Sequence, residues 1–289
     1  MKLSLGTVQF GLPYGIANRS GQVSRAKAAE IISLARSYGV GDIDTAIAYG
    51  DSEAALGQIG VRDFRVVTKL PPLPTQVGDV EAWARDQLSG SLRRLGVESV
   101  HGLLLHRSSD LLGADGGALF RALEGFKANG QVRKIGVSIY SPDELGDVFA
   151  RGALDLVQAP LSLVDRRLLS SGWLKRLKDQ QVEVHTRSAF LQGLLLTPID
   201  GMPAKFSPWS KIWQAWSQWQ TSAGCSALTA CLAFPKSFDE VDRVVVGVDS
   251  PEHLIQIHDA LRTSFGGEWP QIESDDDRLV NPSRWADLE

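Results

Sequence analysis

An acid and a phenol close one apolar run: Ile43-Asp44-Thr45-Ala46-Ile47-Ala48-Tyr49 leads into Gly50-Asp51-Ser52-Glu53. Two later apolar runs end on basic side chains, Val66-Val67-Thr68-Lys69 and Leu103-Leu104-Leu105-His106. If these runs are parallel strands, a carboxylate, a phenol, an ammonium and an imidazole meet at a common mouth, a set suited to protonating an oxygen. A phenol with a reference pKa of about 10 is a poor acid near neutrality, but a neighbouring ammonium and an imidazole hydrogen bond stabilise its anion. Lys69 and His106 are expected to act on Tyr49 in this way. Asp44 is expected to hold Lys69 as an ion pair, which keeps it charged where desolvation would otherwise neutralise it. Protonating a carbonyl oxygen completes a reduction only when hydride reaches the carbon. No side chain donates hydride, so a nicotinamide or flavin is required.

The elements that would position these groups follow from period. Short apolar runs alternate with segments of helical spacing, the pattern of βαβ units around a parallel sheet. The runs fall near Leu3 to Val8, Gly41 to Ala46, Arg65 to Lys69, Val100 to His106, Lys134 to Ser138, Leu154 to Gln158, Val182 to Arg187 and Arg243 to Gly247. After Ser24, Ala28, Ile31, Ile32 and Ala35 make one apolar helical stripe, and Gly39 suits the left-handed turn that ends it. Ser141-Pro142-Asp143-Glu144 reads as a cap, a first-turn proline and a capping-box acid, with Gly152 closing that helix. Repeats of this kind predict an α/β chain, a single-domain (β/α)8 barrel over residues 1–289, with 264–289 as a C-terminal tail. Barrels of this class run to roughly 250 residues, close to the 289 here. Two segments fall outside the repeat: Leu194 to Pro208, rich in proline and read as a loop able to act as a lid, and the tail, whose Trp269 and Trp285 need a docking place.

A net charge of -4 argues against a nucleic-acid groove or an anionic membrane surface, and the 43% hydrophobic content suffices for a large core. Cys225 and Cys231, placed on one helix, read as packed thiols of a reducing compartment rather than a disulfide or metal knuckle. The opening residues, Met1 to Gly6, break too early for a secretory signal, and no stretch reaches roughly 18 apolar residues, so a cytoplasmic location is expected. Asp110 and Asp115 lack ligand spacing, so no metal is expected, and no Gly-x-Ser-x-Gly elbow supports a serine hydrolase. His101, His253 and His258 read as solvated or capping side chains, with His101 at the opposite mouth, and His185 as a barrel histidine. Trp209, Trp213, Trp216 and Trp219 recur at helical spacing and read first as core. Gly11 to Gly21 is either a plain connection or part of a substrate pocket.

No G-x-G-x-x-G fingerprint is present. Instead, the last run leads into Gly247-Val248-Asp249-Ser250-Pro251-Glu252, where Ser250 caps a helix whose start favours a phosphate.

From Leu5-Gly6-Thr7 to about Arg262, the chain resembles the aldo-keto reductase family. The family's Asp-Thr-Ala-x-x-Tyr-Gly-x-Ser-Glu element stands at Asp44 to Glu53, its strand-end lysine at Lys69 and its strand-end histidine at His106. The resemblance implies NAD(P)H-dependent reduction of a small-molecule carbonyl, or the reverse oxidation of an alcohol, with Tyr49 as general acid. It implies further that Ser138 and Gln158 hold the nicotinamide carboxamide. Ser188, Leu191, Gln192 and Gly193 would wrap the pyrophosphate, and Gly247 and Ser250 would line the adenosine side. Ile139 and Ser162 replace asparagines of the family pattern, and Ile257 stands where a helix asparagine meets adenine. Asp249 replaces a basic residue that would meet a 2′-phosphate. An acid there suits a free ribose hydroxyl and favours NAD(H) over NADP(H), and both stay open.

Two competing functions are a dinucleotide-binding redox sensor that regulates a partner with little turnover, and a barrel lyase or isomerase with Lys69 as a Schiff base. A loose likeness to bacterial members of the family, carried by Gly11 to Gly15 and Gly247 to Glu252, implies a sugar-like aldehyde. Nothing in the sequence fixes the oligomeric state.

Overall fold

The computed structural model describes residues 2–16, 18, 21–263 and 265–288. Met1, part of the Gly11 to Gly21 loop, and the first and last residues of the tail lie outside the described residues.

Eight parallel strands close into a barrel in chain order. They are β1 (Leu3–Gly6), β2 (Asp42–Asp44), β3 (Arg65–Leu70), β4 (Val100–Leu105), β5 (Val132–Ser138), β6 (Leu156–Pro160), β7 (Glu183–Arg187) and β8 (Arg243–Gly247). β8 returns to β1, with Leu3 opposite Val244 and Gly6 opposite Gly247. The expected (β/α)8 barrel is therefore the observed fold. β1, β2 and β4 end before the apolar runs do, β3 and β6 run one and two residues past them, and β5, β7 and β8 end where the runs end. Val8 lies in a short 3-10 turn (Val8–Phe10), and Thr45 to Tyr49 already belong to the loop after β2.

The two strand faces have different partners. Outward residues such as Ile43, Val66, Leu103, Leu105, Ile135 and Val137 join the helices in the main core. Val67, Leu104 and Leu156 form a separate small cluster inside the barrel. Gly136 admits that inner layer: a Cβ there would stand 1.8 Å from Leu156 O. Beneath it lies a polar floor. Glu183 meets Lys134 Nζ at 2.7 Å, His101 Nε2 at 3.1 Å and His185 Nε2 at 2.7 Å, while Asp42 Oδ2 accepts from Arg65 at 2.6 Å and Arg243 at 2.7 Å. Burial raises the Glu183 carboxyl, yet its two imidazole partners and Lys134 outweigh that and leave it well below the usual carboxylate range. His101 does lie away from the mouth at the carboxyl ends of the strands, but it is paired with Glu183 rather than solvated. His258 is not solvated either, since its ring stacks on Tyr38 at 3.8 Å.

The helix Arg25–Ser37 begins as expected, with Ser24 Oγ accepting from Lys27 N, and Gly39 takes a positive φ of 70°. Ala28, Ile31, Ile32 and Ala35 are all buried, and each isoleucine contributes about 1.5–3 kcal/mol. After β5 the expected cap is present: Ser141 Oγ accepts from Asp143 N at 3.3 Å, and Glu144 reaches back to accept from Ser141 N at 2.7 Å and from Tyr140 N at 2.8 Å. The turn over Pro142 and Asp143 has i→i+3 bonds, so the regular helix is only Glu144–Phe149. Gly152 does not close it; a Cβ at that position would meet the Phe120 ring at 2.1 Å, so close packing explains this glycine. Cys225 is not on a helix either. It follows the left-handed Gly224 that ends the helix Ser210–Ala223, whereas Cys231 lies within Ala227–Lys236, where burial pushes its thiol up.

The tryptophan stripe is largely core. Trp213 and Trp216 are buried, and their indole N–H groups donate to Phe206 O and Leu195 O, tying the proline-rich connection down by its own carbonyls. The tail docks beside it: Trp269 packs on Phe234 and Phe265, Trp285 crosses Phe206 edge to face, and Ser274 N donates to Val164 O. No helix among the described residues is long and apolar enough to cross a membrane. No group of His, Cys, Asp and Glu among them is arranged to hold a metal ion.

Candidate active site

At the carboxyl ends of β2 and β3, Lys69 Nζ stands 2.8 Å from both Asp44 carboxylate oxygens and donates to Thr45 O at 2.9 Å. Both side chains are buried. Burial draws the ammonium below its ordinary value, and the Asp44 carboxylate opposes that shift. Gln158, from β6, donates to Asp44 Oδ1 at 2.6 Å, and its own carbonyl accepts from Ser138 at the end of β5 at 3.4 Å. Asp44, Lys69, Gln158 and Ser138 thus form one connected polar layer across the mouth.

Tyr49 and His106 sit above that layer. Their rings meet edge to face with centroids 5.7 Å apart, and Lys69 Nζ lies 5.1 Å from the centre of the phenol ring. The sequence grouping of Asp44, Tyr49, Lys69 and His106 is therefore met in space. The direction of the phenol's shift is not. Burial first, and the Asp44 carboxylate second, hold Tyr49 above its ordinary value instead of lowering it. The carboxylate that pairs with the Lys69 ammonium acts on the phenol as well, and it adds to the effect of burial. His106 is held down to about 4 by burial and by Lys69, so its imidazole is neutral near pH 7.

That depression has a consequence for stability. A histidine with an unfolded value of 6.5 and a folded value of about 4 binds fewer protons when folded. Its contribution is complete above pH 6.5 and is lost as pH falls towards 4. Urea midpoints measured at intervals over this range will decline, and His106→Gln will flatten the decline between pH 6.5 and 4.5; an unchanged slope in the variant would count against a neutral buried imidazole.

The segment carrying Tyr49 is fixed by the rest of its motif. Ser52 Oγ lies 2.8 Å from Thr7 O and 3.1 Å from Thr45 Oγ1, while Thr7 Oγ1 donates to Asp44 O. Buried Glu53 accepts from Thr68 at 2.7 Å, Ser91 at 2.5 Å and Arg94 Nε at 2.8 Å, joining the helix Ser52–Ile59 to β3 and to the helix Val80–Leu95. Gly11 makes the closest approach: a Cβ there would stand 1.7 Å from Tyr49 O, and one at Gly50 (φ 54°) would stand 2.5 Å from Gly11 O. Gly11→Ala must push the Tyr49 loop aside, and misplacing a reacting group by about 1 Å can cost about 100-fold. A fall in kcat of about 10- to 100-fold is expected, read against the melting temperature of the same variant.

The loop after β7 holds an unusual backbone. Ser188, Leu191 and Gln192 take positive φ of 64°, 48° and 52°, and Gly193 takes 93°. Such conformations in non-glycine residues cost about 1–3 kcal/mol each and persist where the surroundings impose them, often at ligand clamps. After β8, Asp249 is half-buried, its buried Oδ1 has no hydrogen-bond partner among the described residues, and desolvation raises its carboxyl, partly offset by His253. An orphaned carboxylate acceptor and a left-handed backbone run at one mouth fit a ligand that brings hydroxyl donors and an anion, as a nicotinamide dinucleotide does. Ser250 Oγ is engaged in capping His253 N, and Ile257 is buried in the core. Gly247 lies against the Gln9 side chain, whose buried Oε1 likewise has no partner among the described residues.

Three residues at the mouth were not anticipated. Tyr14 accepts a hydrogen bond from Gln192 Nε2 at 3.0 Å, linking the loop after β1 to the loop after β7. Arg187 ends β7 and stacks its guanidinium on Tyr140, 4.6 Å from the ring centre. A usable signal existed for Arg187: Glu183 and His185 point into the barrel, so period-two alternation directs Arg187 inward as well.

The profile of the Aldo/keto reductase family matches residues 2–268. The chain belongs to the aldo/keto reductase family. Its members are oxidoreductases that act on carbonyl compounds with nicotinamide cofactors. This aldo/keto reductase is 25% identical to the NADH-specific methylglyoxal reductase of Escherichia coli (strain K12), over 88% of this chain and 87% of that one. An aldo-keto reductase from Bacillus halodurans in its holo form superposes with a TM-score of 0.72 at 19% identity, covering 92% of this chain and 88% of its own. The apo form of the same protein gives 0.69 at 21% identity and 84% coverage of each chain. These two likenesses concern the fold of this aldo/keto reductase alone.

Proposed function

We propose that this aldo/keto reductase reduces a small aldehyde or ketone with NADH, and that Tyr49 donates the proton. The observation that carries the reading is the phenol at the mouth, set above a neutralised Lys69–Asp44 pair and beside a neutral His106. The nicotinamide, when bound, supplies hydride to the carbonyl carbon. Tyr49 keeps its proton at working pH because burial and Asp44 disfavour its anion. It releases the proton only as the substrate oxygen becomes an alkoxide, a stronger base than a phenolate. The Lys69 ammonium then faces the phenolate it leaves behind. Neutral His106 can hold the substrate oxygen as a hydrogen-bond donor without competing as an acid.

Ser138 and Gln158 would hold the carboxamide, with Gln158 already oriented at both ends. The backbone around Ser188, Leu191, Gln192 and Gly193 would hold the pyrophosphate, and Gly247, Asp249 and Ser250 would border the adenosine ribose. A second phosphate on that ribose would face the unpartnered Asp249 carboxylate, which supports NADH over NADPH, as does the specificity in the name of the Escherichia coli relative.

The test is calorimetric titration with NADH and NADPH, followed by absorbance assays with methylglyoxal and simple aldehydes. Tighter binding of NADH together with aldehyde-dependent oxidation supports the proposal. Binding without consumption would replace it with the redox-sensor reading, and a borohydride-trapped adduct on Lys69 would replace it with Schiff-base chemistry.

A further inference from the structure

We propose that Arg187 is the anion receptor of the substrate pocket, so that the carbonyl compound reduced here carries a carboxylate or phosphate group. This rests on the reductase reading and narrows its substrate class.

Arg187 lies opposite Pro160 in the β6–β7 register, one pleat beyond Gln158 and His185, on the inward face. Its Nη2 donates to Ile139 O at 2.7 Å and its Nη1 to Ser188 Oγ at 3.2 Å, while Tyr140 covers one face of the plane. A guanidinium has five N–H groups, so this anchoring fixes the plane and leaves donors directed elsewhere. Its charge acts on Tyr49, His106, Lys69 and Tyr14, the groups around the reacting centre.

What sets Arg187 apart is the lack of a counter-charge. The other inward cations of the barrel are paired: Lys69 with Asp44, Arg65 and Arg243 with Asp42, and Lys134 with Glu183. Among the described residues, no carboxylate forms an ion pair with Arg187. Half-buried cations are costly to leave unmatched, and a rigid planar fork suits two oxygens of one carboxylate or phosphate. Tyr14 and Tyr140 add a hydroxyl and an exposed aromatic rim to the same opening. The dinucleotide's own phosphates are the other source of such an anion. They are assigned above to the backbone from Ser188 to Gly193, which begins at the residue next to Arg187, so the NADH Kd is the measurement that separates the two sources.

The experiment compares matched substrates with the full chain and NADH: glyceraldehyde against glyceraldehyde 3-phosphate, and butanal against succinic semialdehyde. The anionic member of at least one pair is expected to have a kcat/KM higher by about 10-fold or more, the size a charge-assisted contact carries. Arg187→Gln should collapse that ratio towards one, and Arg187→Lys should restore part of it, with circular dichroism confirming that both variants fold. The Kd for NADH should move by less than about threefold, well within the substrate effect. Equal rates within both pairs, or a ratio that survives Arg187→Gln, would overturn the proposal. An NADH Kd weakened as much as kcat/KM would overturn it in favour of a cofactor contact. Turnover of the neutral aldehydes without anionic preference defeats only this inference. If no aldehyde turns over, the reductase reading itself fails, and this inference with it.

Discussion

Tyr49→Phe will lower kcat by about 10²- to 10⁴-fold, the range in which a positioned general acid acts, while leaving the dinucleotide Kd close to that of the parent. The substitution removes one oxygen and leaves the ring, so the edge contact with His106 and the approach of Lys69 are kept. A loss confined to kcat marks a group whose work is done as charge develops on the substrate oxygen. Stopped-flow measurement of NADH oxidation under single-turnover conditions checks this directly. A variant that oxidises NADH within a factor of about 10 of the parent would show that the proton comes from elsewhere.

The second large effect is on stability. Lys69→Met leaves the Asp44 carboxylate buried with Gln158 as its remaining side-chain partner, and breaking a buried pair in this way costs about 3–5 kcal/mol. Removing the stranded charge as well, in Lys69→Met with Asp44→Asn, should recover much of that loss. Asparagine keeps an oxygen for the Gln158 amide, and an apolar or neutral pair avoids the desolvation of an ion. Urea unfolding of parent, single and double variants gives the comparison. A double variant no more stable than Lys69→Met would mean that lost packing, not the orphaned charge, dominates. Both variants should be inactive, so the divergence between stability and activity separates the scaffold role of the pair from its chemical one.

Most of the barrel was readable because each of its strands is a short apolar run followed by a helical stripe, and a period is a local property. The polar strand ends were readable for the same reason: once Asp44, Lys69 and His106 each end such a run, a closed parallel sheet must bring them to one mouth. What escaped was set by contacts between distant segments. The cap at Ser141 and Glu144 was legible, but Gly152 answers to the Phe120 ring across the chain and not to the end of that helix. The shift on Tyr49 reversed because a pairwise sketch of ammonium and phenol omits the desolvation of the phenol and the Asp44 carboxylate that acts on it beside Lys69. Arg187 was read only as the end of the seventh run because nothing in the sequence paired it with the acid, phenol, ammonium and imidazole, although alternation from Glu183 and His185 gave its direction.

The plug of Val67, Leu104 and Leu156, with the ionic layer around Glu183 and Asp42 below it, closes one end of the barrel. Traffic through the open end then has to share a single doorway. On the proposed reading, a nicotinamide held by Gln158 and Ser138 and a carbonyl compound held at Tyr49 and His106 would both have to come in by that one opening.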